Sequence, residues 1–244
     1  MPFSPKPQTS LSKKPCVCSD QVRITLDGLE MIPDLTGALF VPDYSAVLVA
    51  DMHFEKGSSR AHRGVHLPPY DTRSSLAALK TVLATYKPQR LISLGDSFHD
   101  ERAPDRLAPD DFAAIRQLSD EMEVTWITGN HDPALSPMLG GKVMDEVALG
   151  AITLRHIPEL GTCGEVAGHL HPAGIVVQRG RRLRRKCFAS NGSRMIMPAF
   201  GAYTGGLNVK SAAFSGLFEG LRFSAWMLGR KAIHKVGSRS LLGE

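Results

Sequence analysis

Residues 46–53 read Ala46-Val47-Leu48-Val49-Ala50-Asp51-Met52-His53, an apolar run of strand length that passes straight into a carboxylate and an imidazole. Such a run, ended by polar residues, reads as a buried strand over Ala46–Ala50. The same figure recurs twice: Leu91–Leu94 runs into Gly95-Asp96, and Val124–Thr128 into Gly129-Asn130-His131-Asp132. Helical patterns lie between. Ser74–Tyr86 sets Leu76, Leu79 and Leu83 at helical spacing, and Asp110–Glu121 opens after Pro109 with acidic residues that suit a helix N-terminus. The βαβαβ alternation predicts a largely parallel sheet covered by helices. In such a sheet the C-terminal strand ends share one edge, so Asp51, His53, Asp96, Asn130 and His131 are expected to converge there.

Outside this block, Val22–Leu26 and Ala38–Phe40 also read as strands. After Asn130 the texture changes, with Val143–Leu149, Ala151–His156, Glu165–Gly168, Ile175–Gln178 and Leu183–Phe188 following one another closely. Leu149-Gly150-Ala151 and Arg179-Gly180 look like hairpin turns, and a second, mostly antiparallel sheet is expected. Arg222–Leu228 and Lys231–Val236 suggest a further hairpin after the glycine-rich loop Phe200–Leu207. Two more sets of metal-ligand residue types fall at strand ends here, His156 and the pair His169 and His171.

These residue types suit the hydrolysis of a phosphate ester. That reaction needs charge neutralised on the phosphate and a hydroxide produced near neutral pH, and divalent cations do both. Two ions close together need a shared anionic ligand, a role that fits Asp96, whose preceding glycine lets the backbone come close. Imidazole and carboxamide ligands beside carboxylates favour Mn2+, Fe2+ or Zn2+ over Mg2+ alone.

The composition sets limits. The chain has 244 residues, 43% of them hydrophobic, 22% charged and 7% aromatic. No apolar stretch approaches the roughly 18–20 residues that cross a bilayer. A soluble protein with one substantial core is expected, as a single domain over residues 21–244. The first 20 residues, with four prolines in MPFSPKPQTSLSKKPC and no apolar signal segment, read as a flexible tail. Cys16, Cys18, Cys163 and Cys187 are then expected as reduced thiols in the cytoplasm. The net charge is +5. Its basic excess is concentrated in Arg179–Lys186, RGRRLRRK, which suits either an exposed edge hairpin or a polyanionic partner.

The ordered set DMH, GD with a downstream aspartate, GNHD, a lone histidine and GHLH resembles the calcineurin-like metallophosphoesterase superfamily. More narrowly, ADMHFEKGSS, LPPYDT, GDSFHD, GHLHP and CFASNGSRMIMPAFGAYTGGLNV resemble the bacterial ligase-associated DNA damage response endonuclease (PdeM) family. The resemblance implies a four-layer αββα sandwich with mixed sheets and a pair of divalent metal ions, Mn2+ first with Fe or Zn as alternatives. Asp51, His53 and His171 would hold one ion, Asn130, His156 and His169 the other, and Asp96 both. His131 would sit beside the scissile phosphate, its charge and tautomer set by an acidic neighbour, Asp132 or Asp100. The family's second motif is GDxxD, whereas here Asp100 lies one residue farther on and His99 stands where the acid is usual. His99, Arg63, Arg182 and Arg184 are the candidate substrate contacts, with Lys56, His62, His66, Tyr203 and Thr204 as further possibilities. The implied activity is a phosphodiesterase acting on DNA in repair, in functional association with a DNA ligase and helicase. Two rivals stand beside it. One is a small-molecule or nucleotide phosphoesterase; the other, a non-catalytic scaffold of the same fold, is disfavoured by the retained His131.

Overall fold

The computed structural model describes residues 21–62, 64, 70–218 and 222–244; the expected tail over residues 1–20, together with Arg63 and His66, lies outside the described residues. A first sheet takes its strands in chain order: β1 (Ile24–Leu26), β2 (Leu29–Pro33), β3 (Leu39–Val41), β4 (Ala46–Val49), β5 (Arg90–Leu94), β6 (Glu123–Ile127) and β7 (Lys142–Met144). β4 to β7 are parallel, with helices α1 (Lys56–His62), α2 (Asp71–Tyr86), α3 (Ala103–Arg106) and α4 (Pro109–Glu121) in the crossovers. Leu76, Leu79, Leu83, Ile115 and Leu118 close one apolar layer against Val47, Val49, Leu91 and Trp126. The Trp126 indole donates to the Gly140 carbonyl at 2.9 Å, so that a wholly buried ring leaves no polar atom unmet.

The second sheet contains β8 (Glu146–Leu149), β9 (Ile152–Arg155), β10 (Glu165–Ala167), β11 (Pro172–Gln178), β12 (Arg181–Ser190), β13 (Arg194–Ile196), β14 (Leu207–Asn208), β15 (Ser224–Leu228) and β16 (Ile233–Gly237). Leu48, Ile92, Leu94 and Ile127 from the first sheet pack against Leu154, Val166, Phe188 and Met195 from the second. Because β4 and β5 are covered on both faces, β4 is apolar throughout and β5 is buried from Leu91 to Leu94, its one polar side chain there, Ser93, meeting the Ser97 hydroxyl at 2.7 Å. The arrangement is the layered metallophosphoesterase-type sandwich expected from the sequence, with one layer built differently. Among the described residues, the outer face of the second sheet is covered by the chain around Val209, Phe214, Leu217 and Leu241 rather than by α-helices.

Several expectations need correction. The run Val143–Leu149 is two strands: Val143 pairs with Trp126 in the first sheet, and Val147 with Leu154 in the second. The chain changes sheets at Asp145, whose carboxylate accepts from the Thr128 hydroxyl at 2.9 Å. The second sheet is mixed, because β10 lies parallel to both β9 and β13. That pairing brings the ends of β9 and β10, and hence His156 and His169, to the same edge. β13 is too short to show a period, β2 buries Met31, Ile32 and Pro33 in a row without alternating, and α1 owes its start to a distant partner, the Gly57 N–H donating to Asp71 at 2.9 Å. Among the described residues no helix is long and apolar enough to cross a membrane.

Candidate metal centre

At the shared edge the chain turns so sharply that the candidate ligands themselves take left-handed conformations. Asp51, His53, Asp96, His169 and His171 have φ of 53°, 45°, 47°, 68° and 45°. Non-glycine residues adopt this region at a cost, and such strain gathers at functional sites. The turns let Asp51 and His53, and likewise His169 and His171, send alternate side chains into one pocket. Close approach also dictates the glycines: a Cβ on Gly129 would stand 2.2 Å from the Asp96 carboxylate, and one on Gly95 2.5 Å from the His156 ring.

Among the described residues the side chains form three groups: Asp51 with His53 and His171, Asp96 with His156 and His169, and, toward the rim, His53 with His99 and His131. In the first, His171 Nε2 lies 3.1 Å from Asp51 Oδ1 and 3.4 Å from His53 Nε2. In the second, His156 Nε2 lies 3.4 Å from Asp96 Oδ1, 3.3 Å from His169 Nδ1 and 3.0 Å from Asn130 Oδ1. Asp96 faces both, its Oδ2 standing 3.8 Å from His53 Nε2. His156 Nδ1 is 2.9 Å from the Leu94 carbonyl, which can only accept, so Nδ1 carries the hydrogen and the lone pair of neutral Nε2 points into the cluster. Nitrogen and oxygen lone pairs then face one another with too few protons between them, the electrostatic setting of a cation site.

The electrostatics agree. Burial, helped by the Lys56 ammonium, pushes His53 down to about 2 and keeps it neutral. Burial and the neighbouring His156 lower His169 as well. Burial opposes charge on Asp96, yet His156 and the His131 backbone N–H hold its carboxyl down at about 2. At His156, burial is outweighed by Asp96 and Asp51, and the pKa rises: this place in the pocket favours positive charge.

His131 stands at the rim, half-exposed, with Nε2 4.0 Å from Asp96 Oδ2. Its Nδ1 lies 2.8 Å from the His99 carbonyl, while the His99 ring stacks on it at 5.2 Å and meets His53 edge-on at 5.4 Å. The partner that fixes His131 is therefore a backbone oxygen and not an acid. Asp132 is buried and accepts from the N–H groups of Asp96, Gly129 and Phe98 at 3.0, 3.0 and 3.1 Å, tying the second and third motifs together. Asp100 is paired with Arg106 at 2.8 Å. The expectation that either acid orients the His131 ring is corrected accordingly.

Neither a family profile nor a curated protein matches the sequence. A solved structure does: the Pseudomonas putida nuclease MPE is 30% identical, with a TM-score of 0.69, over 89% of this chain and 100% of that one. The chain belongs to the metallophosphoesterase superfamily. Two further structures align less closely: YfcE, a phosphoesterase from E. coli (15% identity, TM-score 0.39, 78% of this chain and 97% of that one), and a predicted phosphoesterase from Streptococcus pneumoniae (11%, 0.29, 79% and 96%). At those scores neither adds to the argument.

As a metallophosphoesterase, the chain is a metal-dependent phosphoester hydrolase, and its His and Asp groups could hold the divalent ions that the superfamily uses. The substrate contacts expected from the basic run fare differently. Arg182 donates to the Gly243 carbonyl at 2.9 Å, and Arg184 pairs with Glu244 at 2.7 Å and donates to the Gly206 carbonyl at 2.6 Å, so both are engaged with the C-terminal end and a loop. Lys186, from the same run, turns inward instead, donating to the carbonyls of Ala199 and Gly201 at 2.8 and 3.0 Å. Burial and Lys56 lower its pKa to about 8. The loop it grips holds the first motif by backbone bonds, Phe200 to Ala50 at 2.8 Å and Gly201 to Asp51 at 3.2 Å. Strand alternation gave no hint of this inward turn, since Lys186 shares its nominal face with Arg182 and Arg184.

Proposed function

We propose that this metallophosphoesterase is a nuclease that hydrolyses phosphodiester bonds of DNA at the edge where the two sheets meet. The observation that carries the reading is a pair of ligand groups with Asp96 between them, its Oδ1 3.4 Å from His156 and its Oδ2 3.8 Å from His53, the arrangement a two-ion phosphoesterase requires. The identity to a nuclease over nearly the whole chain supports the polynucleotide substrate. Asp51, His53 and His171 would hold one ion, Asn130, His156 and His169 the other, and Asp96 both. When bound, the ions neutralise phosphate charge and supply a nucleophile near neutral pH. The chain's own part lies with His131. Its Nδ1 hydrogen is committed to the His99 carbonyl, so Nε2 is the atom that would take up a second proton and, from the imidazolium, give it to the leaving oxygen. The mixture of imidazole, carboxamide and carboxylate favours Mn2+, with Fe or Zn as alternatives. A role in repair alongside a DNA ligase and helicase is supported by the motif resemblance, and a cytoplasmic setting accords with Cys163 and Cys187 being free thiols.

The test uses Mn2+ with bis-p-nitrophenyl phosphate, plasmid DNA and free nucleotides as substrates. Wild type is expected to cleave the chromogenic diester and DNA, and Asp96→Ala to fall to background on both while binding less metal. Unchanged rates in Asp96→Ala would overturn the site; hydrolysis of nucleotides without DNA cleavage would overturn the nuclease assignment.

A further inference from the structure

Four cations from different segments meet in a groove that shares no lining residue with the metal centre. Arg23 on the segment entering β1, Arg222 just before β15, Lys235 on β16 and Arg239 in the turn after it line a groove of about 650 Å³ where the edge strands of the two sheets come together. All four are exposed, and among the described residues no carboxylate lines the groove. Of the neighbouring acids, Glu30 is paired with Arg23, and Asp27 turns its carboxylate toward Gly164. The Lys235 ammonium lies 5.1 Å from the centre of the Trp226 ring, a cation–π contact that holds the charge at the groove. Hydroxyl and amide groups of Ser190, Asn191, Ser224 and Ser238 complete the lining. Lysines that protect an edge strand from pairing would explain Lys235. They would not explain Arg23, Arg222 and Arg239, which come from other segments and converge only in the folded chain.

We propose that this groove is a second, non-catalytic binding site for the phosphate backbone of DNA, an inference that rests on the nuclease reading above. A concave surface that gathers Lys235 and Arg239 beside two further arginines, one of them offset by Glu30, with no carboxylate in its lining among the described residues, favours a polyanion, and each phosphate neutralised releases counterions. The groove includes Asn191 and Gly192, just before the start of β13, whereas the chain beyond β13 reaches the first motif at Phe200 and Gly201. From Arg194 to Phe200 is about six residues of chain, or roughly 20 Å at about 3.3 Å per residue when extended. Duplex DNA rises about 3.4 Å per base pair, so a separation of that order corresponds to about six base pairs. A duplex of two helical turns is long enough to span that separation, and a dinucleotide is not.

The experiment pairs wild type with Lys235→Ala/Arg239→Ala, both exposed positions outside the metal centre, and with the charge-reversed Lys235→Glu/Arg239→Glu. Binding of a duplex of about two helical turns, or roughly 20 base pairs, is measured by fluorescence anisotropy across a salt series in the non-cleaving Asp96→Ala background. Hydrolysis of bis-p-nitrophenyl phosphate and of a dinucleotide is measured in the otherwise wild-type protein. The expected result is at least about tenfold weaker duplex binding and a log–log salt slope reduced by about 1–2, at about 0.9 for each phosphate no longer neutralised. Hydrolysis of the two small substrates should be unchanged. Unaltered duplex affinity and salt slope in the charge-reversed variant would overturn the proposal, as would an equal loss on the dinucleotide. A wild type that binds duplex through the groove but cuts none would support the groove while sinking the nuclease reading.

Discussion

His131 owes its usefulness to a bond that the motif does not contain. A carbonyl accepts and never donates, so the 2.8 Å approach to His99 fixes the hydrogen on Nδ1 and leaves Nε2 facing the pocket. The His131 backbone N–H meanwhile donates to Asp96 Oδ1 at 2.9 Å, so the same residue helps to set the bridging carboxylate. Replacing the ring without disturbing this backbone bond should separate the two roles. His131→Asn is expected to lower kcat by about 10²–10⁴-fold, the usual contribution of a positioned proton donor, with bound metal unchanged. Steady-state kinetics beside metal analysis check this; a variant that loses metal in proportion to activity would make His131 a ligand instead. His99→Ala should leave His131 largely competent as a proton donor, since the backbone oxygen survives the substitution.

Among the elements, the parallel strands β9, β10 and β13 carry an arrangement that alternation cannot reveal. At their N-terminal ends, away from the metal centre, Arg194 and Glu165 form an ion pair at 2.9 Å with both side chains almost wholly buried. Arg194 also donates to the carbonyls of Leu217 and Thr162 at 3.0 Å each and to the Thr162 hydroxyl at 2.8 Å, while its Nε faces Glu165 Oε2 as an ion pair without hydrogen-bond geometry. Removing Arg194 leaves the buried Glu165 carboxylate with the longer Arg155 contact at 3.5 Å and the Glu159 N–H at 3.0 Å as its remaining partners. Arg194→Met should therefore cost about 3–5 kcal/mol in denaturant unfolding, and Arg194→Met combined with Glu165→Gln distinctly less. A double variant as unstable as the sum of its parts would show that the pair is not coupled. The site at the opposite strand ends should keep its metal affinity in whatever fraction stays folded.

For the whole molecule, the candidate ligands extend from Asp51 to His171 and belong to both sheets, so a pair of ions binding there binds the folded chain and hardly at all the unfolded one. Mass action then makes stability depend on metal. One site at about a hundred times its Kd adds about 2.7 kcal/mol, which for a chain of this size raises Tm by roughly 5–10 °C. Thermal melts with Mn2+ and with a chelator should differ by at least that much, and the difference should collapse in Asp96→Ala. An unchanged Tm in wild type would show that the pocket does not hold the ions tightly.

Much was readable in the chain before any fold was known. Apolar runs ending in Asp51, Asp96 and Asn130 set the parallel sheet and its functional edge, because hydrophobic period and residue type are local properties. The nature of the chemistry followed from the donor set alone. Long-range packing settled the rest: Asp132 clamps backbone, His99 orients His131 through a carbonyl, Lys186 turns inward while Arg182 and Arg184 stay outside, and Arg23 meets Arg239 across the edge of the sandwich. Those outcomes depend on which backbone groups and strand edges become neighbours after the sheets close. No spacing within one segment encodes that, since each partner is chosen by packing between residues tens to hundreds of positions apart.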